Sequence, residues 1–336
     1  MNDKLKIEIS TISYIKFFGV IIGLIFLYWI KDILVLLFVV GILVSALDPM
    51  VSWAEERKVP RLFSTVILFL LIFTLITLLV SSIFPPIIDQ MGTLANNLPD
   101  YIKKIVPWYY ANFSALTLNW QDLINTISRQ LSSFTSGFYN TTVAVFGGLV
   151  SVFTVFILSF YLLIDREGSK QFVMSTIPEP KRNVSLEILR KIALKMGSWF
   201  RGQVIVSSIM GIFSAVVLGI LGIPYALTIG LLAAVLEIVP VVGPTVVAII
   251  SIFAAFIFGG WIKALIVLIL GIVAQQLESH FLIPKIMGKA VGLSPVIIII
   301  ALLIGGKLAG ITGAILAIPA AAGISVLIQE WHKLKN

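Results

Sequence analysis

The chain has no cysteine among its 336 residues, and only 12% of them are charged. Without cysteine there is no disulfide framework, no thiol nucleophile and no thiolate ligand for a metal. The two histidines, His280 and His332, cannot assemble a metal site by themselves, so no metal and no cofactor is expected. No GxxxxGK[ST] or GxGxxG loop occurs, which removes the usual nucleotide cradle and with it direct powering by ATP. Nor does any Ser/His, His/Glu or paired-Asp arrangement fall within the apolar runs, so the chain reads as a non-enzyme. The shortage of charge says most. A soluble domain is about one-quarter charged, twice what is present here.

In place of charge the chain has hydrophobic residues, 59% of the total. Uncharged runs fall near 17–30, 33–47, 62–84, 141–164, 204–223, 225–258, 264–277 and 292–328. Hydropathy alone counts these as eight spans. Two of them are too long for that. A crossing needs about 20 apolar residues, whereas 225–258 and 292–328 as continuous helix would run to about 50 Å against a core of about 30 Å. Both are interrupted, the first by Pro240, Gly243 and Pro244, the second by Gly305, Gly306 and Gly310. Two half-helices joined by a breaker at membrane depth make a re-entrant hairpin. The expected fold is therefore an all-α polytopic membrane protein with about six full transmembrane helices and two re-entrant helical hairpins.

The net charge of +8 comes from basic residues scattered through loops, a pattern of membrane topology rather than of nucleic-acid binding. With both termini cytoplasmic and both hairpins present, most of the 24 lysines and arginines fall inside. Lys31, Lys103, Lys104, Arg129 and Lys263 fall outside and Lys307 sits at a hairpin tip. The first nineteen residues are too long and mixed for a cleaved signal peptide and read as a cytoplasmic lead. The organisation expected is an N-terminal transmembrane scaffold over 1–84 and an extracytoplasmic amphipathic helical region over 85–140. A transmembrane helix over 141–164, a cytoplasmic basic amphipathic segment over 165–202 and a transport domain over 203–330 follow. The two hairpins enter from opposite sides and open alike, 222-GIP-224 against 292-GLSP-295, which is the layout of an inverted repeat.

Chemistry is sought among polar residues inside apolar runs, since a charge near the bilayer centre costs at least about 2.5 kcal/mol. Glu237, three residues before Pro240, is the sharpest case. It either binds an ion or solute beside the broken helix, whose ends expose backbone dipoles, or it caps the break. Gln275 and Glu278 share a helical face, either opposite the first hairpin or, with His280 and Lys285, at the cytoplasmic surface. Lys307 pairs with Glu237 or Glu278, or snorkels to the interface. Asp48-Pro49 reads as the cytoplasmic end of the second span.

These motifs resemble one family. Glu237-x-x-Pro240-x-x-Gly243-Pro244, then Gln275-Gln276-x-Glu278, Pro284 and Gly288, then Pro295, Gly305-Gly306, Gly310, Gly313 and Pro319 are similar to the autoinducer-2 exporter family of permeases. So are Asp165-Arg166 and Arg201-Gly202-Gln203. The resemblance implies a homo-oligomeric transporter of the inner (cytoplasmic) membrane. It implies export of a small polar solute of the autoinducer-2 kind, with sodium(lithium)/proton antiport as the alternative. The combined expectation is a secondary transporter coupled to an ion or proton gradient, with Glu237 as the sensitive group. Gln275 and Glu278 would line the path and Lys307 would be a candidate counter-charge. A channel-like pore or a non-transporting membrane scaffold is the reading from another class.

Overall fold

The computed structural model describes residues 11–82, 85, 149–287 and 292–335. The region expected at 85–140, all but residue 85 of it, and Gly288 of the motif series lie outside the described residues. Every regular element described is helical. They are α1 (Thr11–Trp29), α2 (Lys31–Glu56), α3 (Arg61–Ser82), α4 (Leu149–Ile164), α5 (Arg166–Ser175), α6 (Arg182–Ile220), α7 (Ala226–Leu236) and α8 (Val242–Leu277). A π-helical turn, Glu278–Leu282, and a short turn, Ile283–Ile286, lead to α9 (Pro295–Lys335). Among the described residues, five helical stretches are long and apolar enough to cross a bilayer, and three shorter apolar helices accompany them.

The longest unbroken rod is α6. It carries Arg182, Arg190, Lys191, Lys195 and Arg201 of the basic segment expected on the cytoplasmic side and continues without interruption into the fifth apolar run. One buried cluster joins its Trp199, Val206 and Met210 to Ala274, Met287, Ile318 and Ala322, so α8 and α9 are anchored on it. Its C-terminal half packs closely on α7. A Cβ at Gly211 would strike the Gly230 carbonyl and one at Gly230 would strike that of Gly211, so small residues set the helix separation.

Both long apolar runs turn back on themselves. Pro240 has no N–H to give the Leu236 carbonyl one turn earlier, and α7 stops there. Pro244 sits in the first turn of α8, where an N–H has no intrahelical acceptor in any case. Between them Val241 holds a positive φ of 69°, a conformation costly for a β-branched residue. A second bend at Gly260, with φ 77°, brings Lys263 Nζ to the Leu221 carbonyl at 2.7 Å. The two ends of 224–259 therefore lie side by side. In α9 the helical geometry fails at Ala309 and Gly310. Residues eight apart on a straight helix would stand about 12 Å apart. Instead the backbones of Gly305 and Gly313 touch, each at the place where the other's Cβ would be.

Asp48-Pro49 does not end a helix. It lies inside α2, which runs on to Glu56. Pro49 leaves the Ser45 carbonyl without its intrahelical donor, and Arg201 of α6 supplies one: Nη1 donates to Ser45 O at 3.2 Å and to Ala46 O at 3.0 Å. Gly197, whose Cβ would overlap the Ser45 carbonyl, permits the approach. Nearby, Arg61 donates to the Leu163 carbonyl at the end of α4 and pairs with Asp48 and Glu55. Arg201→Ala is expected to lower the stability of the detergent-solubilised protein by about 2 kcal/mol, seen as a fall in thermal midpoint. Arg201→Lys should restore little, because a point ammonium does not reproduce a planar guanidinium whose Nη1 meets two carbonyls while Nη2 bonds the Ser198 hydroxyl. An unchanged midpoint in the alanine variant would remove Arg201 from this role.

Candidate functional site

The break between α7 and α8 faces the middle of α6 and the C-terminal end of α8. Glu237 is the first residue past α7 and is 2% exposed. Gln203 of α6, itself buried, donates from Nε2 to the Glu237 carbonyl oxygen at 2.7 Å and fixes the backbone at the break. The rest of that backbone is largely bonded within the turn. Ile238 N donates to Val235 O, Val239 N to Leu236 O, Val242 N to Pro240 O and Gly243 N to Val239 O. A Cβ at Gly243 would occupy the space of the Leu236 carbonyl, so only glycine lets the two helix ends meet. The exposed backbone dipoles anticipated at this point are thus mostly consumed by the turn, and side chains are left to recognise a ligand.

Those side chains converge. Glu278, in the π-helical turn, is 5% exposed, and its carboxyl lies within hydrogen-bonding reach of that of Glu237. Gln275 Nε2 donates to Glu278 Oε2 at 2.8 Å. The π turn begins at Glu278, so the regular helical repeat is interrupted at the acid itself. His280 and Lys285 on the same segment remain exposed. Three of the four residues expected from sequence are therefore brought together. Lys307 is not among them: it is exposed near the bend of α9 and pairs with neither carboxyl. Two carboxyl groups in contact hold together through one shared proton or a cation between them.

Beside Glu237 opens a cavity of about 280 Å³. Its wall is mainly apolar, with Met210, Phe213, Val217, Val247, Ile252 and Val267 among the lining side chains. Ser214, Thr245, Ser251 and Gln275 supply its few further polar groups. The Thr245 hydroxyl is already donated to Val241 O. Glu237 Oε1 is buried and has no hydrogen-bond donor. No lysine or arginine lines this cavity among the described residues. Sequence reasoning had no means of assigning Gln203 its place against Glu237. A glutamine at the start of an apolar run is an anomaly of polarity, but a separation of thirty-four positions hides the contact.

A family profile described as "AI-2E family transporter" matches residues 17–333. The chain is 30% identical over 322 residues to "Putative transport protein YueF" of Bacillus subtilis, covering 92% of this chain and 87% of the relative. It is 28% identical over 320 residues to "Putative transport protein YrrI" of the same organism, covering 92% and 90%. It is 26% identical over 292 residues to "Putative transport protein sll0060" of Synechocystis, covering 84% and 83%.

Proposed function

The chain belongs to the AI-2E transporter family and is a multi-pass membrane transporter or permease, and on that footing we propose that it is a gradient-coupled secondary transporter whose cargo or coupling ion meets it at Glu237. The observation that carries this reading is the buried Glu237 carboxyl, one oxygen of which has no donor, at the edge of a cavity where the chain turns back. A buried acid without a donor is costly unless a proton, a cation or a ligand donor occupies it in the working cycle. Both cargo readings, a small polar signal of the autoinducer-2 kind and a sodium or lithium ion exchanged for a proton, place their decisive contact on this group.

In the bilayer the segments 224–259 and 292–328 would act as re-entrant hairpins, entering from opposite sides as an inverted repeat and bringing the first break to midplane depth. The N-terminal helices would form the scaffold, within a homo-oligomer in the inner membrane and with both termini cytoplasmic. Counterflow in proteoliposomes tests the class. Vesicles preloaded with unlabelled cargo should take up labelled cargo faster than empty ones. Uptake indifferent to preloading would mean a pore, and the absence of flux for every cargo and ion gradient would mean a scaffold.

A further inference from the structure

The cavity beside Glu237 has a chemistry that neither cargo reading satisfies. A small inorganic cation stripped of water needs a shell of about six oxygens. Here the turn's backbone is largely engaged in its own hydrogen bonds, Gln203 occupies the Glu237 carbonyl, and most of the wall is hydrocarbon. A polyhydroxylated solute fares no better, since each buried hydroxyl without a partner costs about 1–3 kcal/mol and polar groups are few. What the cavity does offer is one buried carboxyl oxygen without a donor, at the edge of an apolar chamber of about 280 Å³. That space is many times what one water or a bare ion requires.

We infer that this cavity takes a monovalent organic cation, an ammonium head held by Glu237 with an apolar body of several carbons lying against Phe213, Val247 and Val267. The inference deepens the transporter reading of the same cavity and rests on it. An ammonium group needs only three acceptors, and the Glu237 carboxylate with the Gln275 amide oxygen provides acceptors at one end of the chamber. Its hydrocarbon body replaces water along the rest of the wall, the arrangement by which apolar pockets with a few placed polar groups hold amphiphilic ligands.

The test is a titration of the purified full-length protein in lipid nanodiscs with n-butylammonium, 1-butanol, glycerol and sodium as probes. n-Butylammonium should bind saturably. Glu237→Gln should weaken it at least tenfold, and neither 1-butanol nor glycerol should compete. Gly271 lines the cavity and has nothing within 4 Å of where its Cβ would stand. Gly271→Leu is therefore a second variant, expected to keep its thermal midpoint and lose affinity for n-butylammonium. Sodium displacing n-butylammonium at equal or lower concentration would overturn the inference in favour of an inorganic-cation site. Glycerol binding that Glu237→Gln leaves unchanged, or no n-butylammonium binding to the unaltered protein, would overturn it as well. Ammonium binding without counterflow would strike down the transporter reading and leave the ligand class standing. Counterflow of another cargo without ammonium binding would do the reverse.

Discussion

Replacing Glu237 with glutamine is expected to abolish transport, by about 100-fold or more in initial rate, while the protein still inserts and assembles. The magnitude follows from removing one partner of a desolvated charge contact, which typically costs 2–5 kcal/mol, at about 1.4 kcal/mol per tenfold. Glutamine is the informative choice because it keeps the shape of the side chain and adds an N–H donor that Glu278 accepts. The backbone contact from Gln203 does not depend on the side chain and survives. A loss of flux with normal chromatographic behaviour therefore reports on the missing charge rather than on folding. Glu278→Gln should be milder, since the Gln275 amide already meets that carboxyl. Reconstituted vesicles in which Glu237→Gln transports at the unaltered rate would exclude the acid from the transport cycle.

The second large effect is expected at the bend of α9. In Gly313→Ala the new Cβ would fall on the Gly305 carbonyl, a backbone atom on the facing arm that has no rotamer into which to retreat. The arms must separate, and overpacking of this kind costs about 1–3 kcal/mol even where side chains give way. The variant should lose thermal stability and transport together. Gly306→Ala provides the contrast, because its Cβ meets nothing within 4 Å and alanine favours helix by about 1 kcal/mol over glycine. It should match or exceed the parent protein in thermal midpoint. Equal behaviour of the two variants, measured side by side, would mean that the arms do not touch.

How far these features were readable beforehand depends on whether their cause is local. Pro240 and Gly243 break a helix through their own covalent geometry, so the bend near 240 could be placed from sequence. The same holds for the interruption near Gly310, whose φ of 60° suits glycine. Pro49 shows the opposite case. Its local effect is a missing hydrogen bond, and sequence reading places the cytoplasmic end of the second span there; the helix itself runs on, with Arg201 from a distant helix bonding the freed carbonyl. Glu278 could be placed on one face with Gln275, but its meeting with Glu237 depends on the two chain reversals near Pro240 and Gly260, which hydrophobic period does not encode. A lysine such as Lys307 in an apolar run invites a counter-charge reading, because charges there seek partners. Near the bend of α9 it is exposed instead.

The joint between Arg201 and the carbonyls of α2 has a mechanical meaning. It ties α6 to α2 about 28 Å along the rod from its far end at Ile220. A rod held there can swing but not slide. A rotation of about 10° around that fulcrum would sweep the far end through roughly 5 Å at helical rise, while the wall near Gln203, two residues from the pin, would scarcely move. Leverage of this kind would carry the cavity wall from Met210 to Val217 by increasing amounts while Gln203, and with it the Glu237 carbonyl, stays almost fixed.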